Sequence, residues 1–590
     1  MIRSRIEALQ TIMKEQHIDV WMVCTADYHQ SEYVADYFKM RVFLSGFTGS
    51  AGTLIVTQDH AGLWTDGRYF IQAEKQLENT GITLYRMGEE GVEDTLTFIT
   101  NRLPMNGTLG FDGRTVSSVY GKQLQEICNK KQASIVMDKD IASGLWVDRP
   151  SMPSLPAFVL EEKWCGESTV SKLARVREYM KSSGAHYHLL TTLDDIAWLL
   201  NIRGRDINSC PVVLSYCVVS MDEVHWFVDG NKLVDIQEYV DSLGICVHAY
   251  DEVYAFVKVL EDTVLLDPNK VNFLLANLCG NSIYEANPTV LMKAIKNEVE
   301  VENLRKCHIK DGLAVTRFIY WLKKNIGKFE ITEITASDYL DARRREQENY
   351  LESGFGVIGA YNANAAMMHY SATKGSEATL EPHGFYLIDS GGQYYEGTTD
   401  ITRTVVLGPI SDEWKMHYTQ VLRGMMNLSR AKFLYGCRGM NLDILAREPL
   451  WNINIDYKCG TGHGVGYLLS VHEAPNGFRW KVVPERNDSC VLEEGMVTTV
   501  EPGVYIEGSH GIRIENELVC HKGIKNEYGQ FMEFETITMA PIDVDAIDFS
   551  LLSKEERDFL NSYHKTVYET LSPLLPKEEA EWLYEVTRER

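Results

Sequence analysis

Apolar and polar positions alternate in two different rhythms along this chain, and the change of rhythm marks its organisation. The opening stretch repeats apolar residues at helical spacing, Ile2, Ile6, Leu9 and Met13, with charged residues between them. That pattern predicts an amphipathic helix, followed by a β-run that ends near Thr25 and Asp27. The same order returns from Ser171, with a helix and then a β-run ending near Thr192 and Asp194. Leu63-Trp64-Thr65-Asp66-Gly67-Arg68 has a counterpart in Trp226-Phe227-Val228-Asp229-Gly230-Asn231 at nearly the same offset, so two copies of one α/β module are expected. Between them Pro150, Pro153 and Pro156 block helix and sheet interiors and predict a linker at 149–156.

A long helical pattern begins near Asn297, carrying Leu304, Ile309, Leu313, Ile319 and Leu322, and a second helix follows over Ile334–Leu351. From Ser353 to Met539 the period shortens to strands separated by glycine-rich turns, with a helix over Asp412–Leu434. Ser553 and Glu556 form a capping box that opens a late helix, and Pro576 starts the last one. The expected division is 1–148, a linker at 149–156, 157–296, and 297–590.

A chain of 590 residues is too long for one core, which agrees with that division. Its formal net charge of −25 argues against nucleic acid and anionic membrane as partners, since both attract positive charge. Twelve cysteines stand singly with no C-x-x-C pair, so no zinc ribbon or redox motif is present. Cys246, Cys279 and Cys307 read as buried free thiols of a reducing compartment, and no run approaches a membrane span. A cytoplasmic location is expected.

Candidate chemistry gathers in the strand-rich part. Asp389 ends an apolar run in YLIDSGG, and Asp400 follows eleven positions later in GTTDITRT, an interval that suits a hairpin. His463 lies in CGTGHGVG, Glu501 in TVEPGVY and Glu515 in GIRIENE. Buried carboxylates are costly without positive charge beside them, and Arg403 and Arg513 are too few to neutralise four. Two divalent cations would balance them with the imidazole as a fifth ligand. Oxygen ligands with one nitrogen suit Mn²⁺, with Co²⁺ or Zn²⁺ as substitutes. Such a pair lowers the pKa of a water they share and polarises a carbonyl, so the expected chemistry is hydrolysis through a metal-bridged hydroxide. Other strings are set aside: Asp389-Ser390-Gly391-Gly392 has Ile388 where a serine-nucleophile turn has glycine. His472-Glu473 is followed by Pro475, which would break a zincin helix, and the glycines at 460–466 lack a strand–loop–helix setting.

The five motifs, in this order, resemble the pita-bread metallopeptidases: aminopeptidase P, prolidase and methionine aminopeptidase. HQSEYVADYF, FLSGFTGSAGT, LWTDGRYFIQAEKQL and LDDIAWLLNIRG extend the likeness to the long three-domain Xaa-Pro aminopeptidases. The resemblance implies a mixed α/β and α+β multidomain fold, with two creatinase-type N-terminal modules before a pita-bread catalytic domain. It implies that Asp389 holds one metal, that Asp400 and Glu515 bridge both, and that His463 and Glu501 complete the other shell, with Glu501 moving the proton of the shared water. It further implies that His369, in AAMMHYS, stabilises the oxyanion and that His472, in SVHEAP, lies by the scissile bond. Tyr505 and Arg513 would orient carboxylates, Arg68 would touch substrate, and Phe355 would wall the proline pocket. Substrates would be peptides with proline second, and the assembly a homodimer. Prolidase is the nearest alternative, separated by a tripeptide assay; a non-catalytic binding module or a metal-free creatinase-like hydrolase is disfavoured by the complete ligand set.

Overall fold

A computed structural model describes residues 2–483 and 488–590. The chain divides into two compact units, one made of Met1–Leu160 with Glu167–Thr289, the other of Glu161–Gly166 with Val290–Arg590.

The first unit contains two six-stranded sheets of one topology. In the first sheet the spatial order is Thr83–Arg86, Ala61–Thr65, Thr53–Thr57, Val20–Cys24, Thr108–Phe111, Ser134–Val136. In the second it is Cys246–His248, Val224–Val228, Ser215–Ser220, Tyr187–Leu190, Val264–Leu266, Ser282–Tyr284. Each sheet has an antiparallel centre and parallel flanks, strand for strand. The Asp-Gly pairs noted in the sequence close equivalent strands: Asp66 Oδ1 accepts from the Arg68 N–H at 3.1 Å, and Asp229 Oδ1 from the Asn231 N–H at 3.0 Å. The opening helix is Ile2–Glu15, burying Ile6, Leu9 and Met13. The second β-run ends at Leu190, earlier than expected, because Thr192 caps the helix Leu193–Leu200 and Asp194 lies inside it. No regular element occurs between Leu145 and Phe158, where the prolines stand.

The second unit is built on antiparallel sheets with more than one apolar core against them. A six-stranded antiparallel sheet runs Lys432–Leu434, Gly529–Thr536, Asn516–Asn526, Val497–Val500, Gly462–Gly464, Glu473–Phe478. A three-stranded one pairs Ile358–Tyr361 with Phe385–Ser390 and that strand with Ile401–Val406. The helices Glu298–Asn325, Glu333–Arg345, Asp412–Ser429 and Lys554–Leu571 pack their apolar sides on these sheets. Asn297 caps the first of them with a capping box, and Ser553 caps the last in the same way. Several expectations are corrected, among them the helix expected over Ile334–Leu351, which ends at Arg345 ahead of the strand Tyr350–Ser353. The helix from Asp412 stops at Ser429 and the chain turns into the strand Lys432–Leu434. Two short helices, Gly439–Leu442 and Ile444–Trp451, interrupt the strands. All twelve cysteines are free, and Cys246 is half-buried rather than buried. Among the described residues no helix is long and apolar enough to cross a membrane.

Candidate metal centre and active site

Two adjacent antiparallel strands supply the first carboxylates. Asp389 stands in Phe385–Ser390 opposite Thr402 of Ile401–Val406, which brings Asp400, just before that strand, to the same end of the ladder. The link between them folds back as Gly392–Tyr394 paired with Gly397–Thr398. A side chain at Gly391 would run into the Thr399 carbonyl at 1.9 Å, so the tight crossing there needs glycine. Glu501 follows the strand Val497–Val500, and His463 sits in the neighbouring strand Gly462–Gly464. At Gly462 a Cβ would meet the Thr499 carbonyl at 1.9 Å, so this glycine serves close strand approach beside the imidazole. Glu515 lies between His510–Arg513 and Asn516–Asn526, its N–H donating to the Thr402 carbonyl at 3.1 Å.

These five side chains converge. Asp400, His463 and Glu515 each offer a ligand atom within 4.8 Å of the others. His463 Nε2 stands 3.5 Å from Asp400 Oδ2 and 3.3 Å from Glu501 Oε1. Its Nδ1 lies 3.0 Å from the Gly464 carbonyl, which makes Nδ1 the protonated nitrogen and leaves Nε2 a lone pair toward the carboxylates. Asp389 joins through Arg513, whose Nη2 donates to Asp389 Oδ2 at 2.5 Å. The same guanidinium takes the Tyr505 hydroxyl at 2.8 Å and Thr402 Oγ1 at 3.2 Å, and Thr402 donates to Glu515 Oε2 at 2.7 Å. Arg513 thus links Asp389 to the Tyr505 hydroxyl and, through Thr402, to Glu515.

Charge at this place is unbalanced. Arg403, counted among the nearby cations, turns away: it donates to the carbonyls of Thr402, Glu515, Ala540 and Pro541, to Asn516 and to Tyr563. Arg513 alone remains among the two arginines to face the carboxylates. Burial and then the charges of Asp389, Glu501 and Glu517 push Asp400 well above the usual carboxylate range. Burial and then Asp400, Glu501 and Asp389 do the same to Glu515. Asp389 Oδ1, Asp400 Oδ1 and Glu515 Oε1 are each buried with no hydrogen-bond partner. Orphaned buried oxygens on three clustered acids are what an ionic ligand set looks like without its ions, so the residues fit a divalent metal pair. His463 and Glu501 keep 21 and 20 % of their side chains exposed, against 5 % for Asp400, so the centre has a closed floor and an open side.

The other predicted residues divide. His472 packs its ring edge-on to His463, with centroids 4.3 Å apart, on the open side. His369 is half-buried in the turn after Asn362–Ala366, a segment whose Ala365 carbonyl lies against Gly511 in the strand that carries Arg513. Phe355 is half-buried and its ring would be met at 3.1 Å by a Cβ on Gly391, two positions past Asp389. Arg68 belongs to the first unit, where Asp66 holds its guanidinium at 2.7 Å with Glu32 3.9 Å away. Thr402 and Thr499 were not foreseen: Thr499 donates to Glu501 Oε1 at 3.2 Å and accepts the His463 N–H at 3.0 Å. Each sits in a strand two positions from a predicted acid just beyond that strand's end, and that spacing is the signal that could have found them.

Known proteins match this chain in sequence and in fold. The Creatinase/Prolidase N-terminal domain matches twice, at residues 5–140 and 148–300. Metallopeptidase family M24 matches 302–522, and the C-terminal region of that peptidase 530–590. Xaa-Pro aminopeptidase 1 of Dictyostelium discoideum is 36% identical over 98% of this chain and 94% of its own. Aminopeptidase P2 of Arabidopsis thaliana is 36% identical over 100% of this chain and 88% of its own. The crystal structure of X-prolyl aminopeptidase from Caenorhabditis elegans, a cytosolic enzyme with a di-nuclear active site, superposes with a TM-score of 0.94 at 32% identity, covering 100% of this chain and 99% of that one. A Xaa-Pro dipeptidase from Bacillus anthracis covers only 64% of this chain and 99% of its own, with a TM-score of 0.50 at 25% identity.

Proposed function

We propose that this chain, which belongs to metallopeptidase family M24 and within it to the Xaa-Pro aminopeptidases, removes the first residue from peptides whose second residue is proline. The observation that carries this reading is the convergence of Asp389, Asp400, His463, Glu501 and Glu515 around unpaired buried oxygens.

Asp389, Asp400 and Glu515 would hold one metal, and Asp400, Glu515, His463 and Glu501 the other. Two divalent ions held there would lower the pKa of a bound water and polarise the scissile carbonyl. Glu501, partly open to solvent and steadied by Thr499, would be the base that takes up the proton of the attacking water and passes it to the departing proline nitrogen. That nitrogen has no hydrogen of its own, because a bond to proline is a tertiary amide, so a proton must be delivered to it. His472, against His463 on the open side, stands by the scissile bond, and His369 donates a hydrogen bond to the oxygen as it gains charge. The Phe355 ring offers an apolar wall for the pyrrolidine. The Arg513–Tyr505–Thr402 set keeps Asp389 and Glu515 turned inward.

The ion is proposed to be Mn²⁺, which suits four carboxylates and one imidazole. A homodimer and a cytoplasmic location are part of the same proposal; sedimentation analysis and cell fractionation test them. The deciding experiment follows cleavage of Arg-Pro-Pro and Arg-Pro by protein stripped with a chelator and reloaded with Mn²⁺, alongside metal analysis. Release of arginine from the tripeptide, restored at two ions per chain, supports the aminopeptidase. An intact tripeptide with a cleaved dipeptide makes the protein a prolidase. Arg68→Ala raises KM for longer peptides if Arg68 touches substrate, and an unchanged KM removes it from the site.

A further inference from the structure

A long connection, residues 362–384, joins the strands Ile358–Tyr361 and Phe385–Ser390 and holds no regular element beyond the 3₁₀ turn Asn362–Ala366. Connections this long inside a compact unit need an internal organiser, and they commonly carry function. Here the organiser is one side chain. Glu333 opens the helix Glu333–Arg345 and is 0 % exposed. Its Oε1 accepts the Tyr361 N–H at 2.7 Å and the Asn364 amide at 2.9 Å. Its Oε2 accepts the Tyr370 hydroxyl at 2.8 Å and the Ala378 N–H at 2.8 Å. An ionised carboxylate has about four lone-pair sites, and all are filled, by Tyr361 just before this segment and by Asn364, Tyr370 and Ala378 within it. No cation is among those four partners; the position in the first turn of a helix favours the negative charge. The return of the segment is fixed beside it, with Glu333 N–H donating to the Ala378 carbonyl at 3.0 Å and Leu380 N–H to the Ile331 carbonyl at 2.8 Å. Tyr370 directly follows His369.

We propose that Glu333 is a positioning residue for His369, an inference that rests on the reading of His369 as the donor to the developing oxyanion. Each Glu333 oxygen receives one backbone N–H, a donor that cannot be reversed, together with one side-chain group that can turn. An amide in place of the carboxylate must set its NH₂ against one of those N–H groups. Glutamine therefore keeps the size and the packing of Glu333 but releases one point of the segment, and a displaced donor loses more of its transition-state stabilisation than of its ground-state binding.

The test compares kcat and KM of the Mn²⁺-loaded enzyme for a Xaa-Pro-Yaa tripeptide in Glu333→Gln, His369→Ala and the double variant. Glu333→Gln is expected to lower kcat about 10–100-fold with little change in KM and two ions still bound. In the His369→Ala background the same substitution is expected to add nothing, because the group it positions is gone. Wild-type kcat in Glu333→Gln, or an undiminished further loss in the double variant, overturns the proposal. Wild-type kcat in His369→Ala alone overturns the role of His369 itself, a distinct result. If Glu333→Gln does not fold, Tyr370→Phe removes one of the four donors; a lower kcat that vanishes in the His369→Ala background supports the proposal, and an equal loss in both backgrounds refutes it.

Discussion

Arg513 and Asp389 form a buried ion pair, Nη2 to Oδ2 at 2.5 Å, with 4 and 11 % of the two side chains exposed. The pair commits one oxygen of Asp389 and leaves the other, Oδ1, unpaired and buried. Arg513 thereby decides which lone pairs of Asp389 are available to a metal, and through Thr402 it reaches Glu515 as well. A single cation orients two ligands on different strands.

Replacing Arg513 by lysine keeps the charge and loses the fork. One ammonium cannot satisfy Asp389, Tyr505 and Thr402 in three directions. Arg513→Lys is expected to lower metal affinity or kcat about 10–100-fold while the fold persists. Metal titration of the stripped protein, with activity measured at saturation, reads both effects. Unchanged values would mean that charge alone matters at this position.

Glu501→Gln tests proton transfer. The amide keeps an oxygen for the metal and for Thr499 but cannot accept the proton of the water. Turnover is expected to fall at least about 100-fold, with the melting temperature and circular dichroism of the wild type. Normal activity in a metal-loaded Glu501→Gln enzyme would remove Glu501 from the proton path.

Acid should weaken both compact units through buried neutral histidines. Burial pushes His188, in the first unit, down to about 4. Burial and then Arg403 push His564, in the second, down to about 3. Both folded values lie below the value of about 6.5 that an unfolded chain shows, so the unfolded state takes up protons first. The stability these groups contribute is whole above about pH 6.5 and is lost as pH falls toward the folded values, at about 1.4 kcal/mol per pH unit for each histidine. Denaturant unfolding between pH 6.5 and 5 measures the slope. His188→Gln, which can still donate to the Leu265 carbonyl that His188 Nδ1 meets at 3.1 Å, should flatten it for the first unit. An unchanged slope in that variant would place the acid sensitivity elsewhere.

What the sequence disclosed, and what it withheld, follows from the range of each interaction. Asp389, Asp400, Glu501 and Glu515 were legible because each breaks an apolar or alternating run at a strand end, a local anomaly. The duplicated module was legible because two copies of a strand–turn, ending in Asp66-Gly67 and Asp229-Gly230, repeat a short-range geometry. Glu333 looked like an ordinary acid in the first turn of a helix, since its four donors lie 28 to 45 positions further along. The six residues Glu161–Gly166 gave no sign that they belong with the second unit. There Trp164 and Cys165 present carbonyls to Tyr467, Asn303 and Asn297, partners more than a hundred positions away. The helix Ile444–Trp451 escaped notice because it is only 8 residues long and contains Pro449. Arg403 and Arg513 are alike in composition and spacing, and only tertiary contacts separate the one that faces carboxylates from the one that holds carbonyls.

Glu473 offers the sharpest stability test in the second unit. It follows His472 and pairs with Gly464 across the strand beside His463, so its place fixes the backbone of both histidines. Lys296 and Lys293 converge on its carboxylate, Lys296 in direct contact and Lys293 at 3.6 Å, all three side chains at most 6 % exposed. Two ammonium groups for one carboxylate make the members unequal. Removing Glu473 leaves two buried positive charges facing each other, whereas removing Lys296 leaves a one-to-one pair with Lys293. Breaking a buried pair by deleting one partner costs about 3–5 kcal/mol, chiefly because the survivor stays buried and uncompensated. Glu473→Gln is therefore expected to lose about 3–5 kcal/mol in denaturant unfolding, and Lys296→Met distinctly less. If Lys296→Met proves as damaging as Glu473→Gln, Lys293 does not share the carboxylate, and the pair is a simple one-to-one bridge.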